Sequence, residues 1–260
     1  MSKKTIEKNE AEELRRALDE RTAQLRTVTE ELEKFSYSVS HDLRAPLRAI
    51  EGFSRILLED YSGKLDEEGQ RYLTILDASS RKMTRLLDAL LMFSRLGRQE
   101  LKPEPLNMRE LVQSVWEKLD SPSALRQVEL KLGNLPDAVG DAALVGQIWE
   151  NLLGNAIKFT SRKDLASIEI SGECQSGQAV YWIKDNGVGF NMKAADQLFG
   201  VFQKLHPEEE FEGSGIGLAL VQRLVRRHSG DIRGEAEVGK GATFCFQLPV
   251  PNSLGERAVK

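Results

Sequence analysis

Phe35–Leu47 reads FSYSVSHDLRAPL, and apolar residues recur on both sides of it at alternating spacings of three and four. Upstream, Ala11, Leu14, Leu18, Arg21, Leu25, Val28, Leu32, Phe35 and Val39 make a seam of about four heptads with one polar break, at Arg21. Two readings fit residues 1–34: one solvent-facing helix, or a parallel coiled coil carrying a signal into the downstream helix. The second is preferred, because no other apolar element lies near enough in sequence to cover the seam.

Downstream of Pro46, Leu47, Ile50, Phe53, Ile56, Leu57 and Leu58 resume the helical period until Tyr61-Ser62-Gly63 breaks it. Proline removes one helix hydrogen bond and restricts residue 45, which predicts a bend there. A second helix is predicted over 66–96. Leu73, Leu76, Ser80, Met83, Leu87 and Leu90 repeat the spacing, Leu86, Leu91 and Phe93 widen the stripe, and Gly97 ends it. Two such helices make a hairpin over 35–98. Stripes this wide are half a core, so a homodimer forming a four-helix bundle is expected.

Lys102-Pro103-Glu104-Pro105 reads as a linker within 99–106. Beyond it, helical patterns near 108–119, 141–160 and 215–228 mix with strand-like runs at Ala166–Gly172, Ala179–Ile183 and Thr243–Leu248. That mixture predicts a two-layer α/β domain over 107–250, followed by a polar tail at 251–260.

The 260 residues suffice for one large or two modest domains, and 40% apolar content supports a core. With 36 basic and 40 acidic residues the net charge is -4, so no nucleic-acid binding is expected and any phosphate must be held locally. No apolar run approaches the roughly 20 residues of a membrane span. The N-terminus shows no apolar secretory segment. Cys174 and Cys245 read as reduced core thiols, since neither has a second cysteine or histidine nearby. These features predict a cytoplasmic chain.

His41 follows Val39 by two positions, off the seam and facing solvent. A neutral imidazole with a free lone pair can attack a phosphoryl group near pH 7. The adjacent Asp42 can hold the other ring nitrogen, fix its tautomer and soften the charge that develops. Arg44 could steady phosphate, or pair with Glu51 or another acid.

Four segments of the second domain suggest a nucleotide site. In Glu150–Thr160, ENLLGNAIKFT, the residues Asn151, Asn155 and Lys158 share one helix face. That is ordinary solvation, or oxygen ligands and a point charge suited to a magnesium triphosphate. In Asp185–Phe190, DNGVGF, Gly187 and Gly189 permit a tight turn, and Asp185 can accept from an exocyclic amine. In 212–218, EGSGIGL, Gly213, Gly215 and Gly217 open a helix whose bare N–H groups suit phosphate. In Gly239–Phe244, GKGATF, Thr243 could reach the base edge. Phe199 and Phe202 could anchor a hinge and 204–212 reads as a lid, with Lys204 a phosphate contact and His206 lid surface.

Taken in order, these boxes resemble a sensor histidine kinase over about residues 30–250. SHDLRAPL resembles the H box, ENLLGNAIKFT the N box, DNGVGF, GSGIGL and GKGATF glycine boxes, and LFGVF the F box. The wording is similar to phytochrome-type output modules. The resemblance implies a dimeric helical hairpin joined to the α/β ATP-binding sandwich of the gyrase, Hsp90 and histidine-kinase type. It implies ATP and Mg2+, with His41 the phosphoacceptor, Asp42 its adjacent acid, Asn155 the magnesium ligand, Asn151 and Lys158 at the phosphates, and Asp185 reading adenine. It implies autophosphorylation, then transfer to an aspartate of a response-regulator receiver domain. An upstream sensor domain or partner is expected outside this chain. Ala45 departs from the Thr or Asn found four residues after the histidine in many bifunctional members, so weak regulator phosphatase activity is expected. The competing readings are an ATP-binding dimeric scaffold without kinase activity, and an ATPase of the chaperone or topoisomerase class. The second leaves the His41-Asp42 hairpin without a role.

Overall fold

The computed structural model describes residues 3–95, 100–120, 128–207, 210–211 and 213–251. They fall in two compact units, Met1–Gln99 and Glu100–Lys260.

The first unit is a helical hairpin. Helix α1 spans Lys3–Asp60, a 3-10 turn covers Ser62–Lys64, and α2 spans Glu67–Arg95. α1 continues through Pro46 as one helix. The ring forfeits one hydrogen bond, but the next residue, Leu47, is buried, so local packing offsets the loss. The turn is tied by Gln70, whose amide donates to the carbonyls of Ser62 and Leu65 at 2.9 and 3.3 Å.

The buried seam inside the hairpin is narrow. α1 turns in Ser40, Leu47 and Ser54 at heptad spacing, and α2 turns in Ser80 and Leu91. The wide apolar stripe faces elsewhere: Ile50, Phe53, Ile56 and Leu57 on α1 and Ile75, Leu76 and Met83 on α2 are exposed, Phe53 by 68%. Leu18, Val28 and Val39 of the upstream seam are exposed too. The side chains of Ala11, Leu14, Leu25, Leu32, Phe35, Leu90 and Phe93 fall outside the described residues, as do Gly97 and 252–260 of the tail. A single hairpin therefore leaves a long apolar face uncovered, which is the signature of a surface made for association.

The second unit is a two-layer sandwich. Its strands are β1 (Glu104–Leu106), β2 (Val128–Leu132), β3 (Ala138–Gly140), β4 (Ala166–Gln175), β5 (Gln178–Asp185), β6 (Ile232–Glu237) and β7 (Gly241–Pro249). Its helices are α3 (Met108–Asp120), α4 (Ala142–Phe159) and α5 (Gly217–Arg227). The main sheet runs β2-β4-β5-β7-β6, with β2 parallel to β4 and every other pair antiparallel. Alternation sends Ile168, Ile170, Tyr181, Ile183, Phe246 and Leu248 to one face, where they meet Trp149, Leu152 and Leu153 of α4 and Val221 and Leu224 of α5, all buried.

Residues 104–106, expected within a linker, are instead strand β1, paired antiparallel with β3. Leu106 is buried, and the Lys102 N–H donates to Asp141 Oδ2 at 3.2 Å. Pro105 lacks an N–H, but a two-stranded edge tolerates that. The sandwich thus grips the chain from Lys102 onward, which shortens the segment free to act as a hinge.

Asp141 also caps α4, accepting from Leu144 N, while its own N–H donates to His228 Nε2 at 3.0 Å. His228 Nδ1 bonds the Leu224 carbonyl at 2.8 Å, so the ring is the Nδ1–H tautomer joining the end of α5 to the start of α4. Burial pushes its pKa below the usual value; the Leu224 carbonyl and the Asp141 charge oppose this, and Arg227 adds to it. The group therefore contributes stability that is present above its unfolded pKa of roughly 6.5 and is lost as pH falls toward the lower folded value, by at most about 1.4 kcal/mol per pH unit. The melting temperature of the sandwich should drop on acidification from pH 7 more steeply in the native chain than in His228→Gln. Equal slopes would refute this account.

Candidate functional site

The hairpin carries the first set of candidate residues. His41 and Asp42 are exposed on α1, with His41 Nδ1 3.2 Å from Asp42 Oδ1. Tyr37, one turn earlier, lies nearly parallel to the imidazole and offset from it, centroids 6.4 Å apart and planes inclined by 22°. Arg44 pairs with Asp88 of α2 at 2.7 Å, while Glu51 takes Arg55 at 3.0 Å. Arg44 is therefore engaged across the hairpin. Ala45 is exposed.

The sandwich carries the second set, gathered around one cleft. α4 supplies Asn151, Asn155 and Lys158, joined by Phe159. β5 and the loop after it supply Asp185, Gly189 and Phe190, and β7 supplies Ala242 and Phe244. Lys204, Gly213, Gly215 and Gly217 close the opposite side. Nine of the cleft residues expected from the sequence meet here.

Two do not. Gly187 lies beneath α4, where an added Cβ would stand 2.6 Å from the Phe159 carbonyl oxygen; its N–H donates to Asp185 Oδ1. Thr243 is on the other face of β7: its neighbours Ala242 and Phe244 line the cleft, and Thr243 sits opposite Lys184 and Glu235 across the sheet. The period of two makes it impossible for Thr243 to share their side, so its expected contact with the base edge is withdrawn.

Asp185 is buried, and its Oδ1 accepts from Gly187 N at 2.8 Å and Ala242 N at 3.3 Å. Burial raises the carboxyl's pKa, and these two N–H bonds pull it back. Both fall on Oδ1, which leaves Oδ2 as its acceptor for a ligand. The neighbouring Asn186 plays a structural part. Its side chain accepts from Ser167 N at 3.0 Å and donates to the Leu165 carbonyl at 2.8 Å, pinning the loop to β4. Gly189 (φ 61°) would place a Cβ 2.1 Å from the Glu237 carbonyl oxygen, and Gly241 (φ 108°) 1.9 Å from that of Asp185. No side chain fits either position. Ala242 and Phe244, not Thr243, are what GKGATF contributes to the cleft.

Asn151 is held by its amide, which donates to the Gln147 carbonyl at 2.8 Å, and its Oδ1 faces Gly217, where a Cβ would lie 2.9 Å away. Lys158 Nζ lies 4.3 Å from the Phe159 ring centroid and beside Gly213. Burial, with a further contribution from the Lys204 charge, holds its pKa below the usual value. Two cations facing one cleft repel until an anion joins them. The Ile216 N-cap of α5 makes no side-chain hydrogen bond, so the first-turn N–H groups remain for such an anion.

Sequence reasoning missed the aromatic side of the cleft. Phe159, His206 and Phe211 pack with centroids 5.1 to 5.4 Å apart. His206, expected as lid surface, is half-buried there. Phe202, expected as a hinge anchor, is 50% exposed, and neither it nor Phe199 lines the cleft. Glu208, Glu209 and Glu212 of the expected lid lie outside the described residues.

Among the described residues no group of three or more histidines, cysteines or acids could hold a metal, and no helix is long and apolar enough to cross a membrane. A magnesium ion carried on a nucleotide's phosphates would need few protein ligands. The Asn155 carboxamide in the cleft fits that arrangement, because a hard cation takes neutral oxygens readily.

An exposed histidine on a helical hairpin is thus followed by a sandwich with a buried acid and a glycine-lined cationic cleft. The chain belongs to the sensor histidine kinases. Residues 31–99 match the His Kinase A (phospho-acceptor) domain, and residues 140–252 match the Histidine kinase-, DNA gyrase B-, and HSP90-like ATPase family. It is 34% identical over 228 residues to Cyanobacterial phytochrome B of Nostoc, covering 86% of this chain and 30% of that protein. It is 34% identical over 235 residues to the Methanogenesis regulatory histidine kinase FilI of Methanothrix harundinacea, covering 90% of this chain and 26% of that protein. The crystal structure of full-length ShkA in complex with AMPPNP superposes with a TM-score of 0.61 at 30% identity, covering 83% of this chain and 45% of that one. The chain thus spans less than a third of the two curated relatives.

Proposed function

We propose that this chain is an ATP-dependent protein histidine kinase that phosphorylates His41 and passes the phosphoryl group to an aspartate of a separate receiver domain. One observation carries the choice of acceptor. Of the chain's three histidines, His228 is buried with both ring nitrogens engaged and His206 is packed between phenylalanine rings; His41 alone is exposed.

In this reading Nε2 of His41 attacks the γ-phosphorus, an N–P bond forms, and the bond from that phosphorus to the bridging oxygen breaks to release ADP. Asp42 keeps the Nδ1 proton directed and accepts part of the charge it carries. Lys158, Lys204 and the α5 N-terminus hold the phosphates, Asp185 Oδ2 accepts from the adenine amine, and Phe159 offers its face to the base. Asn151 and Asn155 stand beside the phosphates. Magnesium, held by Asn155 and the phosphates, would neutralise the charge of the leaving diphosphate. The AMPPNP bound to ShkA supports ATP as the nucleotide here. The uncovered apolar face of the hairpin supports a homodimer, and the lack of a polar group at Ala45 supports weak regulator phosphatase activity. In this reading the chain is a cytoplasmic output unit that takes its signal from an upstream sensor or partner.

Incubation with γ-labelled MgATP should give acid-labile, base-stable label. ATP bound without any label would favour the scaffold reading instead.

Asp185→Asn tests the nucleotide half separately. An amide has one acceptor oxygen where the carboxylate has two, so either an internal N–H or the base amine loses its partner. Hydrogen bonds to a charged group contribute about 1.5–3 kcal/mol, which predicts a loss of roughly 10- to 150-fold in ATP affinity by calorimetric titration. Unchanged affinity would remove Asp185 from the site.

A further inference from the structure

We propose that Tyr37 is a positioning residue for the phosphoacceptor, holding the His41 imidazole by its face and favouring the cationic ring that forms during phosphoryl transfer. The proposal rests on His41 as the acceptor.

Tyr37 and His41 are four apart on α1, the spacing that brings side chains together on a helix surface. Their rings are nearly parallel, inclined by 22°, with centroids 6.4 Å apart. Asp42 Oδ1 meets the same imidazole at its edge, 3.2 Å from Nδ1. His41 is otherwise exposed by 68%, and an imidazole with that much freedom would sample several rotamers. An offset ring neighbour and an edge contact together restrict both side-chain torsions. Nε2, the nitrogen touched by neither, is then presented in one direction, which lowers the entropy cost of reaching an in-line approach.

The second effect concerns charge. As the Nε2 lone pair forms the N–P bond, and before the Nδ1 proton passes to Asp42 or water, the ring becomes an imidazolium. The face of an aromatic ring is negative, so it attracts a cation more than a neutral ring. The stack therefore strengthens along the reaction coordinate, and only an interaction stronger in the transition state accelerates the step. Asp42 and Tyr37 divide the work: one takes charge at the edge, the other over the plane.

The test compares the native chain with Tyr37→Phe, which keeps the ring, and Tyr37→Leu, which keeps apolar bulk and is a better helix former. Initial rates of His41 phosphorylation are measured with MgATP and with phosphoramidate, a small donor that needs no nucleotide site. The expected result is a Phe variant within about twofold of native, and a Leu variant slower by about three- to fivefold with both donors at unchanged KM for ATP, the size of an exposed cation–ring contact. A Leu variant as fast as native would overturn the proposal. So would a Phe variant as slow as Leu, which would assign the effect to the hydroxyl. A loss seen with ATP alone, or with a raised KM, would also overturn it, as a contact made to the ATP-binding unit. If ATP labels nothing while phosphoramidate still shows the ring dependence, the kinase reading fails and the positioning role stands.

Discussion

His41→Gln is expected to remove all label from the chain while leaving ATP binding and thermal unfolding as they were. The amide nitrogen of glutamine has its lone pair delocalised and is no nucleophile. The position is 68% exposed, where substitutions shift stability by no more than about 0.5 kcal/mol, and glutamine is the better helix former. The change therefore removes one chemical property and little else. Labelling at the native level in this variant would move the acceptor elsewhere, and His206 would be the next candidate. If label disappears as expected, mixing His41→Gln with an Asn155 variant extends the result: label restored in the mixture means that one subunit phosphorylates its partner, and none means that each chain serves its own histidine.

Trp149→Ala should strip the sandwich of a large part of its stability and lower its melting temperature sharply. The side chain is fully buried, meets Tyr181 and Phe246 edge-on at 5.9 and 5.0 Å, and its Nε1–H points to Met108 Sδ at 3.0 Å. Truncating a buried tryptophan costs about 3–5 kcal/mol, against a typical domain total of 5–15 kcal/mol. The loss reaches function through geometry. Asn151 and Asn155 stand two and six residues further along the same helix, so ATP binding should fall with the melting temperature. Trp149→Phe keeps most of the packing and should lose far less. Native-like melting of Trp149→Ala would show that α4 is not held by this ring.

The elements that were legible in the sequence are those with repetition or composition behind them. α4 announces itself by Leu152, Leu153 and Ala156 opposite Asn151, Asn155 and Lys158, and the structure keeps both faces. The long helices of the hairpin follow from their three-four spacing. What was not legible lacks period or length. β1 has only three residues and contains Pro105, so nothing in it distinguishes a strand from a linker; only its pairing with β3 does. β6 has one buried residue, Ile232, in an edge strand otherwise filled by Arg, Gly, Ala and Glu. The face taken by Thr243 cannot be read from GKGATF, because a motif fixes neighbours in the chain and not the parity of a strand. The inner seam of the hairpin is hidden for a similar reason: the spacing shows that a stripe exists, but which part meets α2 depends on rotation about the helix axis, and three of the five buried positions among the described residues are serines.

That serine-lined contact has a consequence for how the molecule comes to exist. Among the described residues Ser40, Ser54 and Ser80 take three of the five buried positions of the hairpin, Leu47 and Leu91 the other two, so α1 and α2 of one chain share little fully buried apolar area. The larger apolar surface is satisfied only by another chain. For the hairpin, then, stability is tied to acquiring a partner and depends on concentration as well as temperature. The sandwich, with its core enclosed, is under no such condition. One polypeptide thus joins a unit whose stability rises with the number of copies nearby to a unit that is indifferent to the number.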